Sequence, residues 1–312
     1  MSTDEPIKKS ESGAESQKAD WSQATTIAAQ LTDKTTGDEA RALFATHLNA
    51  LVTRHEVSNF QVVMLFDERD EITNWHADQI YRGATTSGEA KDILLVINSP
   101  GGQIEPAYLI SKTCKRLAKS AFVVAVPRKA KSAATLIALG ADEIHMGLMS
   151  ELGPIDPQIG GLPTLGLQNA LSILADLACK YPGSADMLGK YLSDKLNLNV
   201  LGYFNRVTQS AAQYAERLLT SKKLLASQTP EKLADHFVNH YKDHSFVIDA
   251  DEASQLLGPN VVKQNTPVYK FANDVYESLS FLEFVTRFIL KRQFDYVGSI
   301  DKGFNLREIR TD

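Results

Sequence analysis

A serine hydroxyl attacks a carbonyl only when a base takes its proton and donors wait where the oxygen becomes an anion. The chain carries candidates for these parts. Ser132 lies in Ala130-Lys131-Ser132-Ala133-Ala134, where two small neighbours leave room for a tetrahedral carbon. Upstream, Ser99-Pro100-Gly101-Gly102 closes an apolar run. Adjacent glycines reach backbone angles closed to other residues and let amides approach a ligand closely. The N–H groups of Gly102 (or Gly101) and Ala133 are therefore candidate oxyanion donors. Ser132 also opens a helix-compatible stretch, Ala133 to Leu139, whose positive end favours developing negative charge. A serine in that position is ordinarily a plain N-cap, so its weight comes from the segments around it.

Those segments need elements to hold them. Ile93-Leu94-Leu95-Val96-Ile97 is short, aliphatic and β-branched, as suits a strand buried on both faces of a parallel sheet. From Phe60 onward, apolar strands alternate with helical segments: helix 72 to 81, strand 93 to 97, helix 104 to 118, strand 121 to 126 and helix 133 to 139. That alternation predicts βαβ units and a mainly parallel sheet. After Gln158 the pattern turns helical, near 164 to 178, 184 to 194, 202 to 219 and 230 to 241. Asp249 with Glu252 three residues on predicts a capping box, and Val268 to Phe294 reads as one last helix, rich in Phe and Tyr. The expected organisation is a polar, disordered tail over 1–20, a helical arm over 21–57, a catalytic domain over 58–265 and a C-terminal helical extension over 266–312.

Composition narrows the function classes. The 312 residues carry a net charge of -5, so no basic field points to nucleic acid. Cys114 and Cys179 form no CxxC pair and are expected to be reduced, buried thiols. No stretch approaches a membrane span, and Met1 to Asp20 has no hydrophobic core for a signal peptide. A cytoplasmic protein is expected.

Taken in order, SPGG, then Lys131-Ser132-Ala133-Ala134-Thr135 running on to Ile144, resembles the ClpP-type serine peptidases. The closing Leu152-Gly153-Pro154-Ile155-Asp156-Pro157-Gln158 resembles, more narrowly, the serine dehydrogenase proteinase family, a distant relative of ClpP and of signal peptide peptidase A. The resemblance runs from about Phe60 to Val262. It implies an α/β protein of the ClpP/crotonase type, a twisted parallel sheet with surrounding helices and helical extensions at both ends. It also implies a serine peptidase that needs no cofactor and no metal, acts on polypeptides and forms homo-oligomers. Many relatives are anchored in a membrane at the N-terminus, a segment this chain does not show.

The resemblance further implies a triad in the order Ser, Asp, His, with Ser132 as nucleophile. Asp156, where ClpP has its histidine, fits the orienting role; its ordinary reading is a turn residue before Pro157. Three histidines follow it, His236, His240 and His244. The first two are one helical turn apart among Leu233, Phe237 and Tyr241, which packing explains; as an HxxxH pair they lack a third metal ligand. His244 precedes an apolar pair and a capped helix, as in the family pattern, and is the expected base, with His240 or no triad as the alternatives. His145 reads as an ordinary, half-exposed strand residue. A Ser-Lys dyad, as in signal peptide peptidase A, would fall to Lys180 or Lys131, and Lys129 and Lys131 read as surface charges. Two further readings stay open: an inactive scaffold that keeps the fold, and a crotonase-like acyl-CoA enzyme. The last helix, through Phe271, Val275, Leu279, Leu282, Phe284 and Phe288, carries more apolar surface than one core-facing stripe needs, which predicts self-association.

Overall fold

The computed structural model describes residues 23–32, 37–86, 88–159 and 162–309, so the expected tail over 1–20 lies outside the described residues. Helices α1 (Ala24–Thr32) and α2 (Gly37–Arg54) lead into β1 (Phe60–Phe66), α3 (Asn74–Ala84), β2 (Asp92–Asn98), α4 (Ile104–Leu117), β3 (Phe122–Ala125) and β4 (Lys129–Ala130). Then come α5 (Ala133–Leu139), β5 (Glu143–Met146), β6 (Glu151–Leu152), β7 (Gln158–Ile159) and β8 (Leu162–Pro163). Helices α6 (Thr164–Lys180), α7 (Ala185–Lys195), α8 (Leu198–Leu219), α9 (Pro230–Asp235) and α10 (Ala250–Leu257) follow, then β9 (Val262–Gln264), α11 (Pro267–Phe284), β10 (Arg292–Ser299) and β11 (Asn305–Glu308).

Among the described residues, seven strands form the central sheet in the order β11-β10-β1-β2-β3-β5-β9. The pairs β1–β2, β2–β3, β3–β5 and β5–β9 are parallel, while β10 runs antiparallel to both of its neighbours. The continuous apolar runs follow from burial on both faces. Val63, Leu65, Ile93, Leu95, Ile97, Phe122 and Val124 point into one core, shared with Ile110, Leu136 and Leu218 from helices on that side. Val62, Met64, Phe66, Leu94, Val96 and Val123 point into the other, shared with Phe44 and Leu48 of α2 and Phe271 and Val275 of α11. Each fully buried side chain of this size contributes about 1.5–3 kcal/mol of transfer free energy, so the sheet is held from both sides.

The C-terminal segment departs from expectation. The last helix does not reach Phe294: α11 ends at Phe284, a π-helical turn spans Val285–Ile289, and Lys291 adopts φ 53°. A left-handed residue is a common way to leave a helix. The chain then alternates as a strand and enters the sheet, where Phe294 and Tyr296 join the second core and Val297 the first. The extension is therefore not purely helical. Its apolar surplus is largely used inside the molecule: Phe271, Val275, Leu279 and Leu282 are fully buried, while Phe284 and Phe288 are about half exposed. Asp249 does cap α10 through the Asp251 and Glu252 amides, but the Glu252 carboxylate accepts from the Tyr241 hydroxyl rather than closing the box. Cys114 is buried, which pushes its thiol up to about 12, whereas Cys179 is exposed, contrary to the expected burial; neither is paired. Among the described residues, no helix is long and apolar enough to cross a membrane.

Candidate active site

The parallel strands bring their C-terminal ends together, and the turns after them build the site. Ser99-Pro100-Gly101-Gly102 follows β2, and Ser132 precedes α5. The Ser99 amide donates to the Lys129 carbonyl (3.0 Å) and the Lys131 amide to the Ser99 carbonyl (3.1 Å), which zips the two turns side by side. Gly101 and Gly102 take φ 108° and 147°. A Cβ on Gly101 would lie 2.7 Å from the Ser132 Cβ, and one on Gly102 only 2.1 Å from the Ile72 amide nitrogen. Glycine is required at both places by space as well as by angle.

Ser132 itself sits at φ 50° and ψ −117°, outside the regions an L-residue ordinarily occupies. Such a conformation costs about 1–3 kcal/mol and persists only where its surroundings impose it. Thr135 is one constraint: its hydroxyl lies 2.6 Å from the Ala130 carbonyl and 2.8 Å from that of Gly153, and accepts from the Gly153 amide at 3.0 Å. Although Ser132 holds the N-cap position of α5, its side chain makes no capping hydrogen bond. The ordinary reading of a helix-start serine does not describe it.

Asp156 is buried, and its Oδ1 lies 2.6 Å from His244 Nδ1 across 88 residues of sequence, while its Oδ2 accepts from Gln158 Nε2 at 3.0 Å. This carboxylate hydrogen bond raises the His244 pKa above its ordinary value, against the opposing effect of burial. The two segments are stitched together elsewhere: Leu152 and Ile248 exchange amide hydrogen bonds (2.9 and 3.1 Å), and the Ile155 amide donates to the Phe237 carbonyl (2.8 Å). Ser132 and His244 line one open cleft of about 620 Å³, with no direct hydrogen bond between them. Gly101, Gly102, Pro157 and Gln158 share its wall. The Gly101 amide donates to Ser99 Oγ at 3.2 Å, so of the two glycine amides it is the one already engaged.

Residues 44–186 match the family of ClpP-like SDH-type serine proteinases. That stretch is a little under half of the chain, and over it the chain is similar to this family. An uncharacterized protein of Methanocaldococcus jannaschii is 36% identical over 121 residues, 35% of this chain and 42% of the relative. The chain thus spans about two fifths of the length of the curated relatives it matches. Among solved structures it resembles the 1510-N membrane-bound stomatin-specific protease. That protease is seen as a serine-to-alanine mutant (17% identity, 72% of this chain and 84% of that one, TM-score 0.42) and as a lysine-to-alanine mutant in complex with a substrate peptide (16%, 80% and 88%, TM-score 0.42). It also resembles a ClpP1 mutant from Listeria monocytogenes (14%, 70% and 99%, TM-score 0.39).

The other candidates lie apart from the cleft lining. His145 is buried rather than half-exposed, with Nδ1 2.6 Å from Thr266 Oγ1 and Nε2 3.1 Å from Glu143, and burial lowers its pKa. His236 and His240 stack on each other at 4.2 Å, and His236 Nε2 lies 3.2 Å from the Tyr241 hydroxyl. No cluster that could hold a metal occurs among the described residues. Lys180 is exposed at the end of α6, over the Tyr181 ring. Lys131, expected as a surface charge, is largely covered and bridges the Glu151 carboxylate (2.9 Å) and the Phe246 carbonyl (3.1 Å). Sequence reasoning missed that bridge, the Thr135 lock and the Gln158 contact. Gln158 stood inside the quoted motif, but nothing there tells which atom it touches.

Proposed function

We propose that the protein hydrolyses peptide bonds through a Ser132 acyl-enzyme, with His244 as general base and acid and Asp156 as its orienter. The observation that carries the reading is the 2.6 Å contact between His244 Nδ1 and Asp156 Oδ1, made at the cleft that Ser132 also lines. With Nδ1–H donated to Asp156, Nε2 is the lone-pair nitrogen. Catalytic hydrogen bonds are often long without substrate and tighten on binding, so the absent direct Ser132–His244 bond is compatible with the role. Ser132 Oγ attacks the carbonyl carbon as His244 Nε2 takes its proton. The Gly102 and Ala133 amides are suited to donate to the resulting oxyanion, since the Gly101 amide already serves Ser99. Collapse expels the amine, which receives the proton from His244, and water repeats the sequence to free Ser132.

A Ser-Lys mechanism has less support, because no lysine lines the cleft among the described residues, Lys131 is held by Glu151, and Lys180 lies on the exposed end of α6. The test is hydrolysis of casein or a quenched peptide by wild-type and Ser132→Ala proteins. Loss of a triad serine costs roughly 10⁶ in kcat; a variant keeping a tenth of the wild-type turnover contradicts the assignment.

A further inference from the structure

The cleft has two kinds of lining residue. Tyr203 and Val207, one turn apart on α8, and Ile104 at the start of α4 contribute apolar surface to the lining. The same lining includes Glu71, in the loop after β1, and Glu105, in the first turn of α4. Both carboxylates are exposed, and neither forms an ion pair or hydrogen bond with any described residue. The neighbouring carboxylates differ. Asp156 holds His244, Glu151 holds Lys131, and Glu68 holds Lys129. The cation that lines the cleft, Arg69, has Glu283 3.8 Å from its Nε. Glu105 has an alternative explanation in the helix dipole of α4; Glu71, ahead of α3 in a loop, has none.

Lysine and arginine side chains combine an apolar stem with a cationic head, and they bury the stem while keeping the head at a polar edge. A lining that combines apolar surface with two unpaired carboxylates matches both parts. Resting on the peptidase reading above, we infer that the cleft selects basic polypeptide segments, with Glu71 and Glu105 as specificity-determining residues. An exposed ion pair changes affinity by only about 1.5- to 5-fold, so the two carboxylates together give about tenfold, weakened by salt.

The experiment uses the full chain carrying Ser132→Ala and fluorescent peptides identical except for Lys or Glu at two positions, with binding read by anisotropy. The Lys peptide should bind about tenfold more tightly at low salt, and the preference should shrink at high salt. It should vanish in a Glu71→Gln/Glu105→Gln background, checked for unchanged melting temperature, and persist in Glu39→Gln, on α2. Equal binding of the two peptides, or a preference that survives the double substitution, overturns the inference. Fluorophosphonate labelling of the wild-type protein is run alongside. A labelled Ser132 without charge preference removes this inference alone, whereas an unreactive Ser132 removes the peptidase reading and leaves the anisotropy to judge the cleft by itself.

Discussion

The Lys131 ammonium donates to the Phe246 carbonyl at 3.1 Å, so the residue before the candidate nucleophile holds the loop that carries the candidate base. The same ammonium lies 2.9 Å from Glu151, whose strand pairs with the one entering Ser132. One cation thus sets the spacing between two segments more than a hundred residues apart in sequence. Lys131→Met keeps the stem and removes these bonds. It is expected to lower kcat about 10- to 100-fold, as loose positioning does, with KM little changed. Steady-state kinetics check this; wild-type kcat would show that the bridge is not needed.

The proton state of His244 gives a pH prediction. A general base must be neutral, and the Asp156 hydrogen bond raises the His244 pKa above its ordinary 6.5. The acidic limb of kcat/KM should therefore lie above pH 6.5, and Asp156→Asn should move it down while reducing the rate. The stability linkage has the opposite slope. A folded-state pKa above the unfolded one means that the contact stabilises the fold fully below about pH 6.5 and loses that contribution as pH rises through the folded value. Melting curves of wild type and His244→Gln should converge on the alkaline side.

Arg307 offers a stability test at the end of the chain. Its guanidinium lies 2.7 Å from Asp295, 2.8 Å from Asp70 and 3.5 Å from Asp67, tying β11 to the loop after β1. Burial raises the Asp295 pKa, and Asn305 and Arg307 offset part of that rise. Arg307→Met should destabilise by about 2 kcal/mol, since it leaves a buried carboxylate without its cation. Because Asp295 then binds its proton more readily when folded, the deficit should grow as pH increases. A deficit that shrank with pH would contradict this account of the cluster.

Self-association, if it uses the last helix, must use its exposed end. Phe284 and Phe288 pack on each other at 5.0 Å and remain about half exposed. Phe284→Asp/Phe288→Asp should return an oligomer to the mass of one chain in light scattering. Truncation before Val268 is not a usable test, because it also removes β10 and β11, the two strands at one edge of the sheet.

Much of the fold was legible because the strands are buried on both faces and so read as unbroken apolar runs, and because the glycine pair and the serine stand at strand ends. The β10 strand was not. Its aromatic residues continue the pattern of α11, and only the left-handed Lys291 and the pairing with β1 separate helix from strand. The candidate site was readable to the level of residue types. Asp156 and His244 stand 88 residues apart, and their hydrogen bond depends on the Leu152–Ile248 and Ile155–Phe237 pairings, which no local pattern encodes. The same holds for Lys131, whose partners are set by where β6 and the histidine loop meet.

The most direct test of the triad is the rate of fluorophosphonate labelling at Ser132, followed by mass spectrometry in wild type, His244→Ala, Asp156→Asn and Lys180→Ala. The account predicts one label per chain at Ser132, slowed by several orders of magnitude in His244→Ala, slowed nearly as far in Asp156→Asn, and unchanged in Lys180→Ala. Labelling that survives His244→Ala and is lost in Lys180→Ala would contradict it and give the base to the lysine.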